Sequence, residues 1–336
     1  MQIVWFKRDL RLYDHTPLSF GCSNGLIIPL YIFEPELWKN PDLSLRHYEF
    51  LIECIKDLDD QLKKIGLNLV VKVGDAVEVF NNLKLKHSLS IIYSHQETWN
   101  YWTYNRDKKV KKWANNNKVL FREFSQDGVI RSLKDRNGWS FKWYTKMKEK
   151  LIDPPNKITI IRENSNPLPL PKNIGLYKDN CIFRQSGGRK EGLKLLNSFL
   201  NLRVENYSKG ISSPLSAFDS CSRLSSHLAF GTLSIREVFQ KTERKILGYF
   251  EFIRSNIAWL LSGFILALNS SFGQTFFISI FAGKIQAYFN LSHGDWGSIY
   301  MIGTLASATV MIWAGTSSDI FRARSIGVLV LVGLSI

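Results

Sequence analysis

QIVWFKRDLRLYDHTPL, residues 2–18, opens on a short apolar run and then breaks into charge at Lys7, Arg8 and Asp9. An apolar run this short, bounded by charged residues, is how a strand buried on both faces reads. The same pattern returns at 26–33 (LIIPLYIF), 68–73 (NLVVKV) and 90–94 (SIIYS). Between the second and third runs, residues 45–65 set Phe50, Leu51, Cys54, Ile55, Leu58, Leu62 and Ile65 at three- and four-residue spacing. That spacing predicts one apolar helix face, and Gly66 stops it. Residues 75–81 and 104–113 carry weaker helical patterns. Strands alternating with helices predict an α/β fold with a doubly wound parallel sheet over residues 1–130. No GxGxxG follows the first strand, so the usual dinucleotide position of such a sheet is not supported.

Further along, residues 153–172 (DPPNKITIIRENSNPLPLPK) are rich in Pro and Asn and read as extended chain, part of an interdomain linker over 131–184. A helical pattern follows: residues 191–203 place Leu193, Leu196, Phe199 and Leu200 on one face, and 233–240 continues in that style. The formal charge is +15, and residues 247–336 hold four Lys/Arg against three Asp/Glu, so +14 falls on residues 1–246. A basic surface suits phosphate neutralisation, and it equally serves solubility. Cys22, Cys54, Cys181 and Cys221 form no CxxC pair and no His cluster at ligand spacing, so neither a disulfide framework nor a metal is expected. The N-terminus lacks the apolar stretch of a signal peptide, which predicts a cytosolic first domain.

The composition changes after residue 250. Residues 257–281 are uncharged over a length sufficient to span a bilayer, 297–314 form a second uncharged run rich in small residues, and 326–336 a third. These predict about three transmembrane helices within 253–336, with the lipid bilayer as a partner of residues 257–336. The basic residues near 322–324 and the nearly neutral stretch 282–296 predict an inner or cytoplasmic membrane location with the N-terminal domain in the cytosol.

The opening run resembles the start of the photolyase/cryptochrome family, with Trp5, Arg8, Asp9, Leu10, Arg11, Asp14 and His15 at matching places. The resemblance continues through Tyr31–Pro35, through 94–98 (SHQET), through Arg106 and Asp107 and through 128–139 (GVIRSLKDRNGW), up to about residue 240. It implies a Rossmann-like N-terminal domain, an all-α FAD-binding domain of which residues 185–246 are the start, and an ancestral role in light-driven repair of pyrimidine dimers in DNA. Lys7, Arg8, Asp9 and Arg11 stand at the carboxyl edge of the first strand, where an interdomain ion-pair network is favoured over DNA contact. Some members of the family hold an antenna chromophore, and its identity here is open.

Tyr207 and the run CSRLSSHLAFGTLSIRE (221–237) resemble the family's flavin-binding stretch. The resemblance makes Tyr207, Cys221, Ser222, Arg223, Leu224 and Ser225 candidate FAD contacts, with Cys221 in place of the usual threonine. A thiol is a weaker donor than a hydroxyl. By spacing alone SRLSS is only a helix cap. The parts that complete the family's flavin pocket do not follow, which predicts weak or lost FAD binding. Residues 250–336 instead resemble the first helices of a major facilitator superfamily transporter, with Gly315, Ser318, Asp319, Arg322 and Arg324 in a degenerate copy of that superfamily's loop. Three readings follow: a photolyase-like flavoprotein inactive in this chain, a transporter fragment with a cytosolic photolyase-like domain, and a joined reading frame without a complete site.

Overall fold

The computed structural model describes residues 1–131, 133–156, 163–177, 181–269 and 275–320. The chain divides into two compact units, Met1–Ile246 and Leu247–Ile336.

The first unit is built on five parallel strands: β1 (Gln2–Phe6), β2 (Ile27–Phe33), β3 (Val70–Val73), β4 (Ile91–His95) and β5 (Leu120–Phe124), in the order β3-β2-β1-β4-β5. The register pairs Gln2 with Ile27 on one side and with Ile91 on the other. Alternation along β1 sends Ile3 and Trp5 to one face and Val4 and Phe6 to the other, each into its own buried cluster. A central strand wetted on neither face has no polar alternation, which is why its sequence is continuously apolar.

Helices α1 (Thr16–Ser23), the short α2 (Pro35–Trp38) and α3 (Leu45–Lys64) follow β1 and β2, and α4 (Ala76–Lys86) and α5 (Tyr101–Asn116) follow β3 and β4. In α3, Phe50, Leu51, Cys54, Ile55, Leu58 and Leu62 are all buried, as their spacing requires, and Ser44 and His47 close a capping box at its start. The Phe80 ring of α4 meets Trp5 edge-on at 5.1 Å. β5 (LFREF) was not among the expected strands. It is the outermost strand, partly exposed along its length, and its Arg122 and Glu123 hide the apolar run that a central strand would show.

At the other edge, β3 is covered by the connection that follows residue 162. Asn166 N–H donates to the Val71 carbonyl at 2.8 Å, and Val71 N–H donates to Ser165 Oγ at 3.1 Å. The Glu163 carboxylate anchors this cover on Lys72, Lys86 and His87, which together hold it at about 2, well below the usual carboxylate range. The stretch read as linker also contains α6 (Trp139–Lys148). Beyond it come α7 (Arg189–Ser198), a π-helical turn at Phe199–Arg203, a 3-10 turn at Val204–Asn206, α8 (Tyr207–Gly210), α9 (Pro214–Ser220), α10 (Ser225–Ala229) and α11 (Ile235–Ser255).

The remaining helices are α12 (Ile257–Asn269), α13 (Thr275–Phe289) and α14 (His293–Ile320). The expected membrane span over 257–281 includes residues 270–274, which lie outside the described residues; α12 and α13 stand on either side of them. Residues 282–289, in the nearly neutral stretch, continue α13. The second uncharged run lies within α14, yet among the described residues no helix is long and apolar enough to cross a membrane. The third run, 326–336, and Arg322 and Arg324 lie outside the described residues.

Candidate functional site

The strand order reverses between β1 and β4, and the residues leaving these two strands converge at the carboxyl edge of the sheet. Asp9 is fully buried and accepts three hydrogen bonds: from Lys7 N–H at 2.6 Å, from His15 Nε2 at 2.9 Å and from His95 Nδ1 at 2.7 Å. Sequence spacing gave no sign of this cluster, because His95 arrives from β4. The three side chains have the composition of a metal site. The tautomer argues for a hydrogen-bonded hub instead. Leu18 N–H donates to His15 Nδ1 at 3.1 Å, so the ring's proton sits on Nε2 and faces Asp9, and a metal at Nε2 would leave the ring with none. The two imidazoles hold the Asp9 carboxyl well below its ordinary range despite burial, while burial and the neighbouring His15 push His95 down to about 3.

A second buried network lies alongside. Arg106 donates to Glu34 at 2.7 Å, to Glu97 at 2.5 Å and to Asp107 at 2.9 Å, and Lys7 donates to Asp107 at 3.0 Å. The Arg106 guanidinium also lies 4.8 Å from the Trp5 ring. Burial pushes Glu34 up to about 7, with Arg106 opposing it.

These networks meet the segment that follows α10. Gly231 adopts φ +68°, and a Cβ there would lie 2.3 Å from the Arg8 carbonyl oxygen. Only glycine allows so close an approach in that conformation. Leu10 N–H donates to the Phe230 carbonyl at 3.2 Å, Arg11 to the Gly231 carbonyl at 3.0 Å and Arg8 Nε to the Ala229 carbonyl at 2.7 Å. Asp14 accepts from Ser234 and Arg236, and Arg189 pairs with Glu237 at 2.8 Å. The basic and acidic residues after β1 therefore tie the sheet to the helices of 185–246.

Those ties position the candidate flavin residues. Cys221 follows the end of α9, Arg223 takes the left-handed conformation at φ +57°, and Leu224 returns to the right-handed helical region at φ −87° and ψ −6°. Arg203 donates to the carbonyls of Cys221 and Ser222, and Gln185 Nε2 donates to the Arg223 carbonyl at 2.7 Å. Three successive carbonyls are thus claimed by side chains from outside the turn. Among the described residues, no protein group accepts a hydrogen bond from the backbone N–H groups of residues 222–227. A left-handed residue followed by a right-handed one turns neighbouring N–H groups to one side, the geometry of an anion-binding concavity. The Ser222 and Ser225 hydroxyls are likewise without a protein partner, and Leu224 is buried with Leu196, Leu200 and Leu233.

The structure brings five of the six candidates together and leaves Tyr207 apart. The Tyr207 ring opens α8, packs edge-on against Phe199 at 5.7 Å, and has no hydrogen bond or ring contact to the turn. Arg223 directs its guanidinium over the Phe218 ring at 3.6 Å. Gln185 and Arg203 were missed, because nothing in their spacing marks them as partners of residues 221–223. The π-helical turn that carries Arg203 departs from the regular helix expected to 203, and Arg203 also donates to the Leu195 carbonyl at 2.9 Å.

A family model described as DNA photolyase matches residues 2–158. The deoxyribodipyrimidine photo-lyase of Buchnera aphidicola is 25% identical over 268 residues, covering 73% of this chain and 54% of the relative. Cryptochrome-1 of Drosophila melanogaster is 23% identical over 275 residues, covering 70% of this chain and 51% of the relative. Among solved structures, an archaeal photolyase from Sulfolobus tokodaii with two FAD molecules aligns at 27% identity and a TM-score of 0.52, covering 75% of this chain and 58% of that one. The chain spans about half the length of the curated relatives it matches.

Proposed function

We propose that the protein is a photolyase/cryptochrome-type flavoprotein, one that holds FAD by its pyrophosphate at residues 221–227 and associates with DNA; the match of residues 2–158 to the DNA photolyase family model supports this reading. The observation that carries this reading is the run of unclaimed N–H groups at 222–227 flanked by the free hydroxyls of Ser222 and Ser225. Six backbone donors and two hydroxyls without protein partners fit a diphosphate, since such groups offer donors without bulk. Ser222 and Ser225 would donate to phosphate oxygens, and Arg203 and Gln185 would hold the carbonyls away from the anion. Cys221 offers a weaker donor in its place.

FAD, when bound, would supply the light-driven electron transfer of such proteins. The described residues contribute anchorage for the diphosphate, and beside the turn they leave an open pocket of about 350 Å³, lined by Phe183, Gln185, Phe218 and Arg223 among others, that does not enclose a ring system. The reading therefore includes weak FAD binding and no repair activity of this chain by itself. Titration of the purified full chain with FAD tests it. Saturable binding in the range of tens of micromolar or weaker, about 6 kcal/mol in free energy, is expected, together with a flavin absorbance lost on gel filtration. Absence of any binding, or a stoichiometric flavin that survives purification, would each overturn part of this reading.

A further inference from the structure

Residues 257–264 open α12, and every one of them is exposed. They make more than two helical turns, so the exposure runs round the whole helix and not along one face. The stretch reads IAWLLSGF and holds no charge. At about 100° per residue, Ile257, Trp259, Leu260, Leu261 and Phe264 fan over about 200° of the circumference, and Trp259 is 82% exposed. The hydroxyl among them does not turn to solvent. Ser262 Oγ donates to the Ala258 carbonyl of its own helix at 2.7 Å.

The same habit returns in α14. Residues 301–306 (MIGTLA) are all exposed. Thr304 Oγ1 donates to the Tyr300 carbonyl at 2.8 Å, and Ser298 Oγ to the Gly294 carbonyl at 2.9 Å. A helix on a soluble surface carries a polar face, whereas one that is apolar all round belongs in a protein core or in hydrocarbon. The exposure of these residues rules out a core.

Polar groups gather instead where α13 meets α14. Lys284 and Gln286 stand near the end of α13; Asn290, at φ +52°, terminates it, and Leu291 N–H donates to the Gln286 carbonyl at 3.0 Å. Ser292 and Asp295 close the start of α14 reciprocally: Ser292 Oγ donates to the Asp295 carboxylate at 2.6 Å, and Asp295 N–H donates back to Ser292 Oγ at 3.1 Å. Aromatic rings flank this polar turn on both sides. Tyr288 is 82% exposed beside Phe289, and the Trp296 ring lies 6.4 Å from that of Tyr300. Rings with one polar end collect at the headgroup level of a bilayer, and a lysine there reaches water along its own stem.

We propose that residues 257–264 and 284–306 form a lipid-binding surface. α12 and the apolar part of α14 lie among acyl chains, and the turn at 290–295 lies with Tyr288, Trp296 and Tyr300 at the headgroups. The partner is a bilayer and not a second copy of this chain. A protein interface covers one side of a helix and leaves the other wet, whereas acyl chains surround it. Lys284 and Asp295 are the only Lys, Arg, Asp or Glu in these two stretches, so the attraction is apolar and owes little to lipid charge. Among the described residues no helix is long and apolar enough to cross a membrane, and an interfacial seat does not require one. The surface stands whether or not FAD binds at 221–227.

Flotation on a density gradient tests this. The full chain would be diluted from mild detergent into phosphatidylcholine vesicles, at about 0.5 M salt to screen the basic residues of 1–246. The wild type should float with these neutral vesicles. Leu260→Asp, Phe264→Asp and Ile302→Asp together should lower the partition by about a hundredfold or more, because three large apolar side chains lose their place in hydrocarbon. All three residues are exposed, so far-UV circular dichroism in detergent should not change. Leu85→Asp puts a charge on an exposed apolar residue of the first unit and should float as the wild type does. A wild type that stays at the bottom would overturn the proposal. So would flotation confined to phosphatidylglycerol vesicles at low salt, since the charge of the first unit would then be the anchor. Equal flotation of the triple variant would overturn it too, as would a homodimer of defined size free of lipid and detergent, which would assign these side chains to a second copy.

Discussion

Asp9 illustrates how one residue joins distant parts of the chain, since it collects N–H groups from its own loop, from the start of α1 and from the end of β4. The position is legible in the sequence as a charge after a buried strand. Its partner His95 is not, because only the parallel pairing of β1 with β4 brings the two together. The same site sets a pH dependence. His95 is pushed down from 6.5 to about 3 by burial and by His15. The unfolded chain therefore takes a proton that the folded one refuses, and this stabilisation is complete above about 6.5 and is lost as pH falls toward 3. Glu34 works in the opposite sense, being pushed up from 4.5 to about 7 by burial. Its contribution is complete below about 4.5 and is lost as pH rises through 7. Thermal midpoints of the full chain across pH 4–8 should thus respond oppositely to two substitutions. His95→Gln should flatten the decline on the acid side, and Glu34→Gln should flatten the decline toward neutral pH. Parallel shifts without a change of slope would show that neither group is held in the stated protonation state.

At the scale of elements, central strands and the amphipathic α3 follow from pattern alone, because burial on two faces or on one stripe leaves its mark in the sequence. The edge strand β5 and the break of α7 into a π-helical turn leave no such mark, since they depend on what lies beside them. The candidate flavin turn falls between these cases. Its residues stand out by resemblance, but the feature that makes the turn useful is the capture of its carbonyls by Arg203 and Gln185. Replacing Arg203 by Met removes charge-assisted bonds to Cys221, Ser222 and Leu195, each worth about 1.5–3 kcal/mol. Released carbonyls can rotate toward the anion position and cancel the N–H groups there. FAD affinity should therefore fall by about one to two decades in Arg203→Met, with the far-UV circular dichroism unchanged. Arg203→Lys, which keeps the charge without the fork, should recover only part of the loss. Equal affinity in all three proteins would remove Arg203 from the account of the turn.

For the whole molecule, the distribution of charge separates the two compact units more sharply than any pattern of secondary structure. Residues 247–336 carry four Lys/Arg and three Asp/Glu, a net of +1, and the other +14 belongs to residues 1–246. The acids of the first unit are largely consumed internally. Glu34, Glu97, Asp107, Asp14, Glu163 and Glu237 are all held in ion pairs with Arg or Lys. On α5, by contrast, Lys108, Lys109, Lys111 and Lys112 lie close together in sequence, and among the described residues none of the four has a carboxylate partner. Excess cations that no internal acid neutralises are available to phosphates, and each phosphate contact releases condensed counterions. Duplex DNA should accordingly bind the full chain with little sequence preference. With about six phosphate contacts, log K against log salt should have a slope near −5, so affinity drops on the order of a thousandfold between 50 and 200 mM salt. Replacing Lys108, Lys109 and Lys112 by Gln together should make that slope shallower by up to about three contacts. A steep slope left unchanged by the triple substitution would place the contacts elsewhere on the first unit, and binding insensitive to salt would refute an electrostatic origin. Repair of dimers would require more than this attraction, because a flavin must also be held against the lesion, and the turn at 221–227 is proposed only as an anchor for its diphosphate.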